Sequence, residues 1–171
     1  DRGSLGIERT IEALDAAGLP FAGTRTRAAR DEGRRWRTVT RARGFAVAWV
    51  ACTYGLNGLP DRERLVLACH ARDGAPSEDV LDEIRAAAAE PGVDAVVLAP
   101  HWGVEYQHQP AAQDRRLARE AIHAGATMVV GAHPHVLQPW EQVVAPDGRE
   151  GLVLYSLGNF ISAQFGTPRR A

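Results

Sequence analysis

Within the 38 residues from Val93 to Val130 the chain passes from an apolar run through an amphipathic segment into a second apolar run. No other feature constrains the fold as much. Val93, Ala95, Val96, Val97 and Leu98 read as a buried strand over 93–99, Ala111 to Ala124 as a helix stopped by Gly125, and Thr127 to Val130 as another strand. A strand–helix–strand unit of this length is a βαβ crossover. The two strands are therefore expected to be parallel, with their carboxyl ends opening on one edge of a sheet, where α/β proteins place their ligand sites.

The flanking segments fit an α/β domain. Leu5 to Ala17 carries Ile7, Ile11 and Leu14 on one helical face, with Ser4 as a plausible cap and Gly18 as a stop. Phe45 to Ala51 reads as a buried strand, Tyr54 to Asp61 as a turn-rich connection, and Leu65 to Cys69 as a short strand. Ser77 is positioned to cap a helix through Ala89, with Glu78, Asp79 and Asp82 in its first turns. Val136–Val144 and Gly151–Tyr155 flank Pro146-Asp147-Gly148 and predict a hairpin. The tail from Gln164 onward reads as frayed. With no repeat or linker dividing the 171 residues, one domain is expected.

Composition removes several function classes. The net charge is −1, so no global field draws the chain to nucleic acid or an anionic membrane. All 20 basic residues are arginine, so lysine Schiff-base chemistry and a P-loop lysine are excluded. Eight of them lie between Thr24 and Arg43 without a register that gathers them on one face, and that stretch reads as a solvated loop or irregular hairpin rather than an anionic-polymer site. The longest apolar run, Phe45 to Cys52, is far short of a membrane span, and no signal peptide is visible in these residues. Cys52 and Cys69 are too few for a disulfide framework and are expected to be buried thiols.

Three of the six histidines fall at the ends of the two parallel strands: His101 after the first, His133 and His135 after the second. Pro134 is expected to hold the backbone extended, so that both imidazoles face one point, which His101 can also reach. Three neutral imidazoles on an open cleft suit Zn, Mn, Fe or Ni, with water as the hydrolytic nucleophile. Glu105 and Asp114 are nearby carboxylates suited to orient a ligand or to act as acid or base. Spacing alone leaves the plainer reading open, because a histidine after a strand is often a loop residue bonded to backbone. His70, His108 and His123 read as surface or helix residues. Trp102 and Tyr106 are placed either to stack a substrate or to edge the core, and Asn159 either to bond a ligand or to shape a turn.

The blocks His101-Trp102-Gly103-Val104-Glu105-Tyr106, Pro110, Gln113, Leu117-Ala118, Ala124-Gly125-Ala126, Gly131 to Gln138 and Tyr155-Ser156-Leu157-Gly158-Asn159-Phe160 together resemble the CapA family of poly-γ-glutamate capsule biosynthesis proteins. Ala13 to Gly18 and Ala22-Gly23 extend the resemblance toward the start of the chain. That family is in turn similar to calcineurin-like metallophosphatases. The resemblance implies an α/β fold, a calcineurin-like αββα sandwich lacking its first strands, in a single domain over 1–171 that is amino-terminally incomplete. It implies His101, His133 and His135 as metal ligands, with Glu105 and Asn159 lining the cleft. The family's Asn-Asn-His-Ser-Leu-Asp stretch corresponds here to Asp1-Arg2-Gly3-Ser4-Leu5-Gly6, so that His and the final Asp have become Gly3 and Gly6, and Arg2 places a positive charge where a cation is expected. Missing strands would leave an exposed sheet edge.

Two functions follow from the resemblance. One is a divalent-metal hydrolase (Mn, Fe, Zn or Ni) acting on a phosphoester or an anionic polymer in capsule biosynthesis. The other is a non-catalytic component of poly-γ-glutamate or capsule assembly and export. Either implies membrane-associated capsule-synthesis partners and an extracytoplasmic location, and the balanced charge implies no nucleic-acid partner.

Overall fold

The computed structural model describes residues 3–33 and 35–159. Asp1, Arg2, Arg34 and residues 160–171, which include Phe160 and the tail from Gln164 onward, lie outside the described residues. The elements in order are α1 (Gly3–Ala16), α2 (Arg27–Asp31), β1 (Thr38–Ala42), β2 (Phe45–Thr53), α3 (Glu78–Ala88), β3 (Ala95–His101), α4 (Ala112–Ala124), β4 (Met128–Val130), β5 (Trp140–Val144) and β6 (Glu150–Leu154). The fold is α/β. One six-stranded sheet runs β1-β2-β3-β4-β6-β5, with β2, β3, β4 and β6 parallel and the hairpin strands β1 and β5 antiparallel at its edges.

The expected crossover from β3 through α4 to β4 is present, and β2–α3–β3 forms a second one beside it. Period-two alternation sends Ala48, Val50 and Cys52 of β2, Val96 and Leu98 of β3, and Val129 of β4 into a buried layer with Val80, Ile84 and Ala87 of α3 and Leu117, Ala121 and Ile122 of α4. The sheet positions that alternate with these leave Phe45, Trp49 and Trp140 exposed on the other face. The apolar surface left open is thus a face of the sheet as well as its edges.

Several local expectations change. Ser4 lies inside α1 rather than ahead of it, and Ser77 occupies the N-cap of α3 but makes no side-chain cap bond. Leu65 to Cys69 is not a regular strand. It makes isolated bridges, Thr24 to Val66 and Thr53 to Ala68, that lay it along the end of β2. That placement brings Cys69 to a Cα–Cα distance of 5.0 Å from Cys52, and the two form a disulfide instead of remaining thiols. The arginine-rich stretch includes α2 and β1 and is pinned rather than merely solvated. Arg27 pairs with Glu8 and Glu63, and Arg37 pairs with Glu90 and the fully buried Glu83, whose charge needs such a partner.

Candidate metal centre

The strand register builds the site. β2 and β3 pair up to Thr53 and His101, and β3 continues its pairing past β4 through a bridge from His101 to Ala132. Trp102 N–H donates to Ala132 O at 3.1 Å and Ala132 N–H to Pro100 O at 3.0 Å, which sets His101 and His133 side by side with ring centroids 4.5 Å apart. Beneath them Trp102 is fully buried. Its indole N–H donates to Tyr155 O at 2.9 Å and its ring stacks on Tyr155. Trp102 is therefore core, and it fixes the turn after β3. Gly131 is wedged at the same junction, where a Cβ would lie 2.1 Å from Tyr155 O and 2.4 Å from Trp102 Nε1.

His133 and His135 converge as expected, but not on an extended backbone. Their φ angles are +106° and +59°, so the segment around Pro134 is a strained turn that bends both rings toward one point. Tyr106, at φ +62°, closes the opposing turn by donating its N–H to Pro134 O at 2.7 Å, and its ring stacks on His135. This brings in Glu105. One ligand atom from each of Glu105, His133 and His135 lies within 4.8 Å of the others. His101 stands next to this group rather than in it, its ring facing His133 and Tyr54. Asn159 holds His135 from the side: Nδ1 and Oδ1 are 2.8 Å apart, and since an amide oxygen only accepts, Nδ1 is the donor, which in the neutral ring leaves the lone pair on Nε2.

Burial lowers the pKa of both His101 and His133. For His101 the neighbouring His133 and His135 act in the same direction, while for His133 the Glu105 carboxylate partly opposes the effect. The neutral form of these two rings is thereby favoured. The imidazoles of His133 and His135 and the Glu105 carboxylate form a donor set that suits a divalent transition metal, so the residues present fit the metal that the resemblance implies.

The group opens on a cavity of about 1010 Å³ that Glu105, His101, His133 and His135 line on one side. Residues of α1, among them Gly3, Ser4, Gly6 and Arg9, line it from across, together with residues of the 22–24, 51–53 and 54–61 segments and Val66. Asp114 does not line it; its carboxylate is buried against His70, which is a buried partner rather than a surface residue. His108 and His123 are exposed and away from the group. Tyr54, whose ring centroid is 4.7 Å from that of His133, was not foreseen. The signal for it was the β2 run itself, which ends one residue earlier in a second parallel crossover.

A family model of the bacterial capsule synthesis protein PGA_cap matches residues 1–164. The chain belongs to this family. It is 30% identical over 171 residues to the capsule biosynthesis protein CapA of Bacillus anthracis, covering 96% of this chain and 38% of that protein. It is also 43% identical over 82 residues to the PGA biosynthesis protein CapA of Bacillus subtilis (strain 168), covering 48% of this chain and 20% of that one. The chain thus spans well under half the length of these relatives. In this PGA_cap chain, no described helix is long and apolar enough to cross a membrane.

Proposed function

We propose that Glu105, His133 and His135 hold a divalent metal (Mn, Fe, Zn or Ni), and that the chain is a hydrolytic component of capsule or poly-γ-glutamate biosynthesis acting on a phosphoester or an anionic polymer. The observation that carries this reading is the meeting of three ligand atoms within 4.8 Å on the wall of a cavity large enough for a polymer segment. Membership of the capsule-synthesis family supports it. A bound ion would supply Lewis acidity toward the oxygen of a scissile ester or amide.

The chain's own residues do the rest. Asn159 fixes the tautomer of His135, which leaves Nε2 available as a ligand. His101, kept neutral by burial and by its histidine neighbours, is a base beside the ligand set. Tyr54 packs its ring on His133 and His101 and restricts the orientation of both rings. Across the cavity Arg9 is the only arginine among the described lining residues, and it presents a cation to an anionic substrate. The Cys52–Cys69 disulfide supports an extracytoplasmic location, because such bonds persist in oxidising compartments. Membrane-associated capsule-synthesis partners are part of the same proposal.

The test compares Mn- and Zn-loaded wild type with His133→Ala on an activated phosphodiester and on poly-γ-glutamate. The expected result is hydrolysis by the wild type and its loss, by about 100-fold or more, in the variant. Polymer retention without hydrolysis in either chain would overturn the catalytic reading in favour of a non-catalytic assembly component.

A further inference from the structure

His70 and Asp114 form a buried pair outside the ligand group, with Nε2 and Oδ1 3.1 Å apart and side chains 8% and 1% exposed. The second carboxylate oxygen, Asp114 Oδ2, and His70 Nδ1 have no hydrogen-bond partner among the described residues. A buried carboxylate with a spare oxygen is costly unless a donor or a cation offsets it. The first turn of α4, where Asp114 sits, offsets part of its charge. The contacts show what else the carboxylate serves. A Cβ on Gly103 would lie 3.5 Å from Asp114 Oδ2 and 3.2 Å from Pro134 Cγ, so Gly103, at φ +86°, is wedged between the carboxylate and the proline that separates His133 from His135. The backbone leaving Gly103 delivers Glu105 two residues later, and Asp114 acts electrostatically on His133. On the other side His70 follows Cys69, which the disulfide ties to β2.

We infer that the His70–Asp114 pair is the outer support of the Glu105–His133–His135 centre. Asp114 backs the Gly103 turn and supplies buried negative charge that a cation at the centre offsets, and His70 holds Asp114 in place. Both are positioning residues. The inference rests on the metal reading above.

The experiment titrates Mn and Zn into the metal-free full chain by calorimetry, records the visible spectrum of the Co-loaded chain, and measures Tm of the metal-free form. Asp114→Asn is expected to raise the metal Kd about 10-fold or more and to shift the Co spectrum, while Tm of the metal-free form stays level or rises because a buried charge is gone. A fall in Tm with an unchanged Kd would assign the pair to packing alone and overturn the inference. Should that variant fail to fold, His70→Gln and His70→Leu decide. The glutamine, which keeps a donor toward Asp114, is expected to stay within about threefold of wild type, and the leucine to lose about 10-fold. Equal affinities in the two overturn the inference. A wild type that takes up none of the metals removes the centre and this inference together. Metal lost in His133→Ala but kept in both Asp114→Asn and His70→Leu removes this inference alone.

Discussion

The two walls of the cavity are built by different means. The wall that carries Glu105, His101, His133 and His135 rests on parallel strand pairing, a buried indole and a buried carboxylate, and its turns are locked by backbone hydrogen bonds such as Tyr106 N–H to Pro134 O. The facing wall is α1, whose only buried residue is Ile11, and the Gly- and Pro-rich segment 54–61 with exposed Tyr54 and Leu59. Ligand geometry needs tenths of an ångström, which a strained and buttressed turn supplies. Accommodation of a long substrate needs room instead. On the proposed function, the sheet edge supplies fixed ligand geometry and the helical side supplies room for a substrate.

The largest effect is expected for Gly131→Ala, which strikes the rigid wall directly. Its added methyl meets the Tyr155 carbonyl and the Trp102 indole, and we expect a loss of about 3 kcal/mol or more in urea unfolding together with weakened metal uptake. A loss below about 1 kcal/mol would show a soft sheet edge. Next in size is the disulfide, which joins residues 17 apart in sequence. Cys52→Ser with Cys69→Ser is expected to cost roughly 3 kcal/mol, with hydrogen exchange rising first in the 54–70 region and later in β3 and β4. Simultaneous loss of protection in β3 and β4 would erase the distinction between the walls. Asn159→Ala frees the His135 tautomer and is expected to weaken metal binding about 10-fold, leaving circular dichroism unchanged. Affinity within twofold of wild type would remove Asn159 from the support of the centre.

The smallest effect is on pH. His101 and His133 take up protons less readily folded than unfolded, chiefly because of burial. As pH falls through the ordinary imidazole value near 6.5, the unfolded chain binds protons first, and stability of the metal-free protein declines between that value and the lowered one. His101→Gln should flatten that decline. An unchanged slope would show that the ring is not the titrating group.

Much of the fold is legible in the residues. The run from Val93 to Val130 announces its crossover because strand and helix periods differ, and Asp147-Gly148 announces the β5–β6 turn, with Gly148 at φ +85°. The convergence of His133 and His135 was legible too, but its cause was not. Alternation on an extended strand predicts the same meeting as the positive φ angles observed, and the two differ only in the backbone path around Pro134. Glu105 enters the ligand group because Tyr106 bends the chain after β3, a tertiary contact with Pro134 that no spacing encodes. The Cys52–Cys69 bond depends on an irregular segment lying along β2, and the His70–Asp114 pair joins positions 44 apart in sequence. Such pairs are set by packing rather than by period.

The most direct test of the account is the metal content of the chain after loading with Mn, Fe, Zn or Ni and desalting, measured by elemental mass spectrometry on wild type, His133→Ala and Glu105→Gln. About one ion per wild-type chain is expected, with loss of that ion in both variants while the fold is retained. A folded wild type that retains no ion, or variants that retain it in full, would contradict it.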